Sequence, residues 1–191
     1  MSATWPKTWH RPVKIRTADR RDGTAIAQIY APMVRQTFIS FEDEPPSADD
    51  MTSRIQSTLA MFPWLVAEEA GQVVGYAYAG SHRTRPAYRW SCDVSIYLAP
   101  EVKRQGVGRR LYRALFDILK RQGFAMAFAG VALPNKPSVC FHEALGFELV
   151  GVYPRVGFKN GEWRDVGWWQ KQLLDLGADP QEPIPFPTLS T

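Results

Sequence analysis

Apolar positions recur along the chain with two periods, and the places where the period changes mark the predicted elements. Val13 to Thr17 alternates as a short strand, and Ile26, Ile29, Tyr30 and Val34 then fall at helical spacing within Asp19 to Val34. Two prolines in Phe38 to Pro46 break the pattern, and a second helix is predicted over Ala48 to Phe62, where Met51, Ile55 and Leu59 recur every four residues. Trp64 to Glu69 and Val73 to Gly80 are β-rich runs around Ala70-Gly71-Gln72, a hairpin signature. The polar, Arg-rich stretch Ser81 to Trp90 leads to a third strand, Cys92 to Leu98, in which Val94, Ile96 and Leu98 alternate with Asp93, Ser95 and Tyr97.

Val107, Leu111, Leu115, Ile118 and Leu119 mark one face of a helix that Gly123 stops, and Ala125 to Val131 reads as a buried strand. A short helix begins near Pro137 and ends at Gly146, followed by two closing strands, Phe147 to Tyr153 and Trp163 to Leu173. Strands alternate with helices only in the middle, which predicts a mixed α/β (α+β) domain over residues 13–174. Residues 1–12 are read as an N-terminal extension in which Trp5 and Trp9 are the candidates for packing. Residues 175–191 are a Pro-rich C-terminal tail, with four prolines from Gly177 onward, expected to be mobile or to lie along a partner.

Composition fits this picture: 191 residues, 45% apolar and 22% charged, suit one hydrophobic core. No run approaches the roughly 18 to 20 apolar residues that cross a bilayer, and Met1 to Arg16 has no apolar signal core, so a cytoplasmic location without a membrane partner is expected. Cys92 and Cys140 are read as reduced, packed thiols. His10, His82 and His142 are scattered without metal-ligand spacing, and no metal site is expected.

The net charge of +4 is local: Lys103, Arg104, Arg109, Arg110 and Arg113 crowd one loop and the helix after it, without the interleaved aromatics of a single-strand binder. Either a small polyanion or a solvated helix face accounts for that cluster, and nucleic acid is not expected as a partner. In Lys103-Arg104-Gln105-Gly106-Val107-Gly108, placed between a strand and a helix, two glycines let the backbone turn and approach a ligand. The free first-turn amides and the helix dipole would receive phosphate there. Neither a GxGxxG nor a GxxxxGK[ST] pattern is present, since Leu111 holds the third position, which sets aside the dinucleotide and P-loop alternatives.

The order strand, Gly-x-Gly helix, strand, Asn135 and a helix ending in Leu145-Gly146-Phe147 resembles the GNAT superfamily of acyl-CoA N-acyltransferases. Further pieces narrow the resemblance to the phosphinothricin and methionine sulfoximine N-acetyltransferases. These are Thr37 with Ser40-Phe41-Glu42 and Pro45, Asp93 to Leu98, His142 to Phe147, and the run from Gly157-Phe158-Lys159 through Trp163 and Asp165-Val166-Gly167 to Trp169-Gln170. The resemblance implies a twisted, mainly antiparallel central sheet flanked by helices, acetyl-CoA as co-substrate, an amino-acid acceptor, a detoxifying, resistance-conferring role and a homodimer. It implies cofactor contacts from Lys103, Arg104, Gln105, Gly106, Val107 and Gly108, where Lys103 replaces the more usual Arg or Gln, and from Ile96, Tyr97, Leu98 and Asn135 along the pantetheine arm.

Asp93 stands where the family usually carries a catalytic Glu. Its shorter side chain is expected to work on the amine through a bridging water, and the alternative is a strand-edge carboxylate paired with Arg83, Arg85 or Arg89. His142 occupies a position where many members present a Tyr to protonate the departing thiolate; a buried histidine satisfied by a backbone carbonyl is the competing reading. Asn135 either holds the pantetheine arm or caps its helix. Arg83, Arg85 and Tyr88, with Phe41 as a wall and Val94 and Ser95 on the strand, are the candidates for acceptor binding, against a solvated basic loop. Trp163, Trp168 and Trp169 are read as core or dimer interface. Acetylation of another amine (an aminoglycoside, a polyamine or a protein N-terminus), a nucleic-acid-binding domain and a CoA-binding module without turnover remain as alternatives.

Overall fold

The structure, a computed structural model, describes residues 13–189. The N-terminal extension, with Trp5 and Trp9, lies outside the described residues. In chain order the elements are β1 (Lys14–Thr17), α1 (Gly23–Gln36), α2 (Ala48–Leu59), β2 (Trp64–Glu69), β3 (Gln72–Ser81), β4 (Ser91–Leu98), α3 (Val107–Gln122), β5 (Met126–Leu133), α4 (Lys136–Glu143), β6 (Glu148–Lys159) and β7 (Glu162–Gln172). They form one seven-stranded sheet in the order β1-β2-β3-β4-β5-β7-β6. Every neighbouring pair is antiparallel except β4 and β5.

Helices cover both faces because the strands are apolar on both. On one face α3 lays Leu111, Leu115 and Leu119 over Ala77, Cys92, Val94, Ala127 and Val131. On the other, α1 and α2 bring Ile26, Val34, Met51 and Ile55 against Trp64, Val66 and Tyr76. Capping fixes the helix starts: Ser47 and Asp50 form a reciprocal box at α2, and Asp19 and Asp22 form one at the 3-10 turn that enters α1. Helix α3 runs between Gly106 and Gly123, both in the left-handed region, with φ of 79° and 97°.

Three expectations change. The strand predicted to stop at Tyr153 continues to Lys159, because the ladder shifts register between Tyr153 and Gly157 and so passes Pro154 in a bulge. Within the bulge, Arg155 adopts φ of 50° and donates its N–H to Asp165 at 2.7 Å. Cys92 is fully buried, but Cys140 is exposed on α4 rather than packed. The tail is strapped to its own chain: the Ile184 N–H donates to Gln122 O at 2.8 Å, the Phe186 N–H to Met61 O at 3.0 Å, and Trp90 Nε1 to Gln181 O at 2.8 Å. The buried Gln122 side chain ties the strap by donating to Met61 O at 2.7 Å and Ile184 O at 2.8 Å. An extended proline-rich segment suits this path because it needs few backbone donors.

Candidate active site

The parallel pair is brief. Only Ser91, Cys92 and Asp93 of β4 pair with Met126, Ala127 and Phe128 of β5, after which the two strands part. The gap is a slot lined by Val94 to Tyr97 on one side and Ala129 to Ala132 on the other, with Asn135, Ser138 and His142 of the α4 region and Ile39 of the α1–α2 loop. Along it, β4 has no strand partner on the β5 side, so its peptide groups are open to an extended ligand in the way a sheet edge accepts an added strand. A separate cavity of about 150 Å³, between α2 and the sheet near Tyr76 and Tyr78, is bordered by Arg54, which is held by Glu42 at 2.8 Å.

At the α3 end of β4, Arg104 and Gly106 both take positive φ, 64° and 79°. No side chain caps the helix, so its first-turn amides are free for an anion. The two glycines have different jobs: nothing lies within 4 Å of a Cβ at Gly106, whereas one at Gly108 would stand 3.2 Å from the Phe141 ring. Gly106 makes the turn and Gly108 lets α3 approach its neighbours. Lys103, Arg104 and Arg109 stay exposed around this terminus. Val107 is core, Gln105 donates to Glu101 O at 2.7 Å within the loop, and Arg110 bonds Val13 O, so these side chains serve the loop and the sheet. Asn135 Oδ1 accepts from the Ser138 N–H at 3.2 Å and caps α4 from a position that also lines the slot.

Where the strands part stands Asp93. Its carboxylate pairs with a histidine, not with Arg83, Arg85 or Arg89: His82 Nδ1 lies 2.6 Å from Oδ1. The imidazole stacks on Phe128 with centroids 4.1 Å apart and planes 14° apart, and meets Trp168 edge-on at 5.8 Å. Burial pushes the Asp93 carboxyl up from its ordinary value, while the bond to His82 and the charges of His82 and Arg83 pull it down. His82 was not singled out by the sequence; its place follows from the pairing of Gly80 with Asp93 and Ser81 with Cys92, which returns the next residue to the carboxylate.

On the opposite wall His142 is buried, with both ring nitrogens engaged. Nδ1 donates to Ser138 O at 2.8 Å, which leaves Nε2 to accept the Tyr112 hydroxyl at 3.2 Å. Burial lowers the imidazole pKa and raises that of the Tyr112 phenol, so the pair is neutral near pH 7. Around the mouth, Arg83 donates to His82 O at 2.9 Å and sits 5.7 Å over Trp168. Tyr88 is exposed with its ring 6.2 Å from that of His82, and Arg85 is exposed in the same loop. Phe41 packs on Gly157 of β6, where a Cβ would fall 2.2 Å from its ring, while Ile39 is the loop residue that reaches the slot. Trp169 is core and Trp163 is 62% exposed. No group of three or more His, Cys, Asp or Glu able to hold a metal occurs among the described residues, and none of their helices is long and apolar enough to cross a membrane.

A sheet that opens at its one parallel pair, with an uncapped, glycine-turned helix start at one end of the opening and a carboxylate at the other, is the architecture of an acyl-CoA-dependent N-acyltransferase. The chain belongs to the family described as the acetyltransferase (GNAT) domain, which matches residues 15–168. It is 37% identical over 171 residues to a phosphinothricin N-acetyltransferase of Streptomyces viridochromogenes, covering 90% of this chain and 93% of that protein. It is 35% identical over 165 residues to an L-methionine sulfoximine/L-methionine sulfone acetyltransferase of Salmonella typhimurium, covering 86% and 96%. Among solved structures, a GNAT superfamily phosphinothricin acetyltransferase of Sinorhizobium meliloti in complex with acetyl-CoA superposes with a TM-score of 0.83 at 36% identity, covering 89% of this chain and 94% of that one. The expected fold and family are thereby met, and the chain is an N-acetyltransferase.

Proposed function

We propose that this protein transfers the acetyl group of acetyl-CoA to the amino group of phosphinothricin or a similar amino acid such as methionine sulfoximine or sulfone, and that it confers resistance by doing so. The observation that carries the transfer reading is the slot, whose open β4 edge leads from the free amides at Gly106 to the carboxylate of Asp93. The acceptor class rests on relatives of those names, similar over most of both chains.

In this reading the amides around Gly106 and Gly108, with Lys103 and Arg104, hold the pyrophosphate. The peptide groups of Ile96, Tyr97 and Leu98 and the Asn135 amide line the pantetheine arm. Asp93 supplies the negative charge that draws a proton from the acceptor's ammonium group, and the Tyr112–His142 pair offers a hydrogen bond to the departing sulfur. Arg83 and Arg85, with Tyr88, face the acids of the acceptor, and Phe41, packed on Gly157, walls the far side of its pocket. Residues 13–174 are the catalytic domain, flanked by the extension 1–12 and the tail 175–191.

A homodimer is part of the proposal. β6 is an edge strand, and Leu149, Val150, Val152, Tyr153, Val156 and Phe158 along it are 43–59% exposed, an apolar strip suited to a second copy. Sedimentation should give twice the 21.6 kDa chain mass, and a monomer would refute that part. The cytoplasm, where acetyl-CoA is available, is the compartment that fits.

Thiol release from acetyl-CoA, with phosphinothricin, methionine sulfoximine, common amino acids and an aminoglycoside as acceptors, tests the function. Turnover confined to the first two supports it. Turnover with the aminoglycoside alone, or with no amine while CoA still binds, refutes the acceptor assignment.

A further inference from the structure

Asp93 is one methylene shorter than a glutamate, yet the structure gives its carboxylate a second group to work through. The ladder pairs Ser81 with Cys92 and Gly80 with Asp93, and His82 follows directly, with Nδ1 2.6 Å from Asp93 Oδ1. The ring lies flat on Phe128, which is itself the register partner of Asp93 on β5, with Trp168 of β7 at its edge. Ring, carboxylate and the last rung of the β4–β5 ladder are therefore one cluster, immediately before the strands part.

An ionised carboxylate only accepts hydrogen bonds, so the contact makes Nδ1 the donor and leaves the lone pair on Nε2. No described residue bonds Nε2. The side chain is 12% exposed, which leaves the ring a narrow opening. The charged and titratable groups facing it are Asp93 from β4, and Arg83 and Tyr88 from the loop before β4; β5 and β7 present the uncharged rings of Phe128 and Trp168.

We propose that His82 Nε2 is the atom that takes the proton from the acceptor's ammonium group, with Asp93 as the positioning residue that fixes the ring and stabilises its charged form. This rests on the reading of the slot as an acetyl-transfer site. The ammonium gives one proton to Nε2. The freed lone pair forms the C–N bond to the acetyl carbonyl carbon, and the C–S bond breaks with its electrons passing to sulfur. A second amine proton goes to that sulfur to give the thiol, the third stays on the amide nitrogen, and His82 returns its proton to solvent. An imidazole is intrinsically closer in basicity to an amine than a carboxylate is, so the transfer is less uphill.

Three variants test this. His82→Phe keeps the stack without the base, His82→Asn keeps a donor toward Asp93, and His82→Ala opens a space beside Phe128. In each, kcat/KM for the acceptor should fall about 100-fold or more, within the range for losing a positioned base, with KM for acetyl-CoA within twofold of wild type. The deficit should narrow as pH rises through the acceptor's own ammonium pKa, and added imidazole should restore turnover to His82→Ala. In the resting protein, NMR should show a downfield ring N–H proton that is lost in both His82→Phe and Asp93→Asn, a readout independent of turnover. Wild-type rates and pH profile in His82→Phe and His82→Asn would overturn the proposal while leaving the acetyltransferase reading intact. A wild-type protein that acetylates no amine fails that reading and this proposal with it.

Discussion

Two histidines in aromatic surroundings flank the slot, His82 beside the Asp93 end of its β4 wall and His142 within its α4 wall, and the fold prepares them differently. On the β4 wall His82 is bound to a carboxylate, with its second nitrogen unengaged among the described residues. On the α4 wall His142 is bound to a carbonyl and a hydroxyl and is spent on both sides. Burial lowers the His142 pKa and favours its neutral ring. The same residue type thus sits beside a carboxylate on one wall and between a carbonyl and a hydroxyl on the other.

The largest expected effect breaks the charged wall. Asp93→Asn keeps the shape and removes the charge, and kcat/KM for the acceptor should fall by ~10²- to 10⁴-fold in a thiol-release assay. A fall below tenfold would mean that the charge is not used.

On the neutral wall, His142→Gln should change the pH dependence of stability. Burial lowers the His142 pKa in the folded state below its ordinary value of 6.5, so the unfolded chain binds that proton more readily. The sign follows: stability is full above 6.5 and declines as pH falls below it. Urea titrations at pH 7.5 and 5.5 should show wild type losing more between the two than His142→Gln loses, and equal losses would contradict the assignment.

Tyr112→Phe removes only the hydroxyl that His142 Nε2 accepts. Unfolding free energy should drop by about 1–3 kcal/mol, the cost of stranding a buried polar atom. The accompanying loss of kcat should stay under tenfold; a loss matching Asp93→Asn would make the two walls equivalent. The smallest effect on kcat belongs to Gly106→Ala, whose φ of 79° strains any side chain although space is open. KM for acetyl-CoA should rise severalfold while kcat at saturation holds.

The difference between the walls also separates what the chain declares locally from what only the fold assembles. The amphipathic face of α3, its glycine stops and the alternation of β4 were legible, because each depends on neighbours within a few turns or a few residues. Gly106, Asp93 and His142 could be named from motif and position. His82 could not, since its partner lies eleven residues away across a loop whose register the sequence does not state. The one signal was a histidine early in the polar stretch between two predicted strands, two residues past Gly80.

Gln122 was a comparable missed sign. It is a polar residue three positions past Leu119 on the apolar face of α3, and it is what the proline-rich tail is tied to. The extension of β6 past Tyr153 was not legible either, because the bulge that carries Pro154 depends on a register shift against β7 and on Asp165, which accepts the Arg155 N–H. The parting of β4 from β5 is a property of pairing alone and has no local signature.

The opening between β4 and β5 should receive acetyl-CoA with its reactive end toward the Asp93–His82 pair. A crystal structure of the full chain with acetyl-CoA tests it most directly. In that crystal the pyrophosphate should lie at the Gly106 end of α3, the pantetheine arm beside Ile96 to Leu98, and the thioester at the Asp93 end of the slot. Acetyl-CoA bound elsewhere, or bound there with its thioester turned away from Asp93, would contradict it.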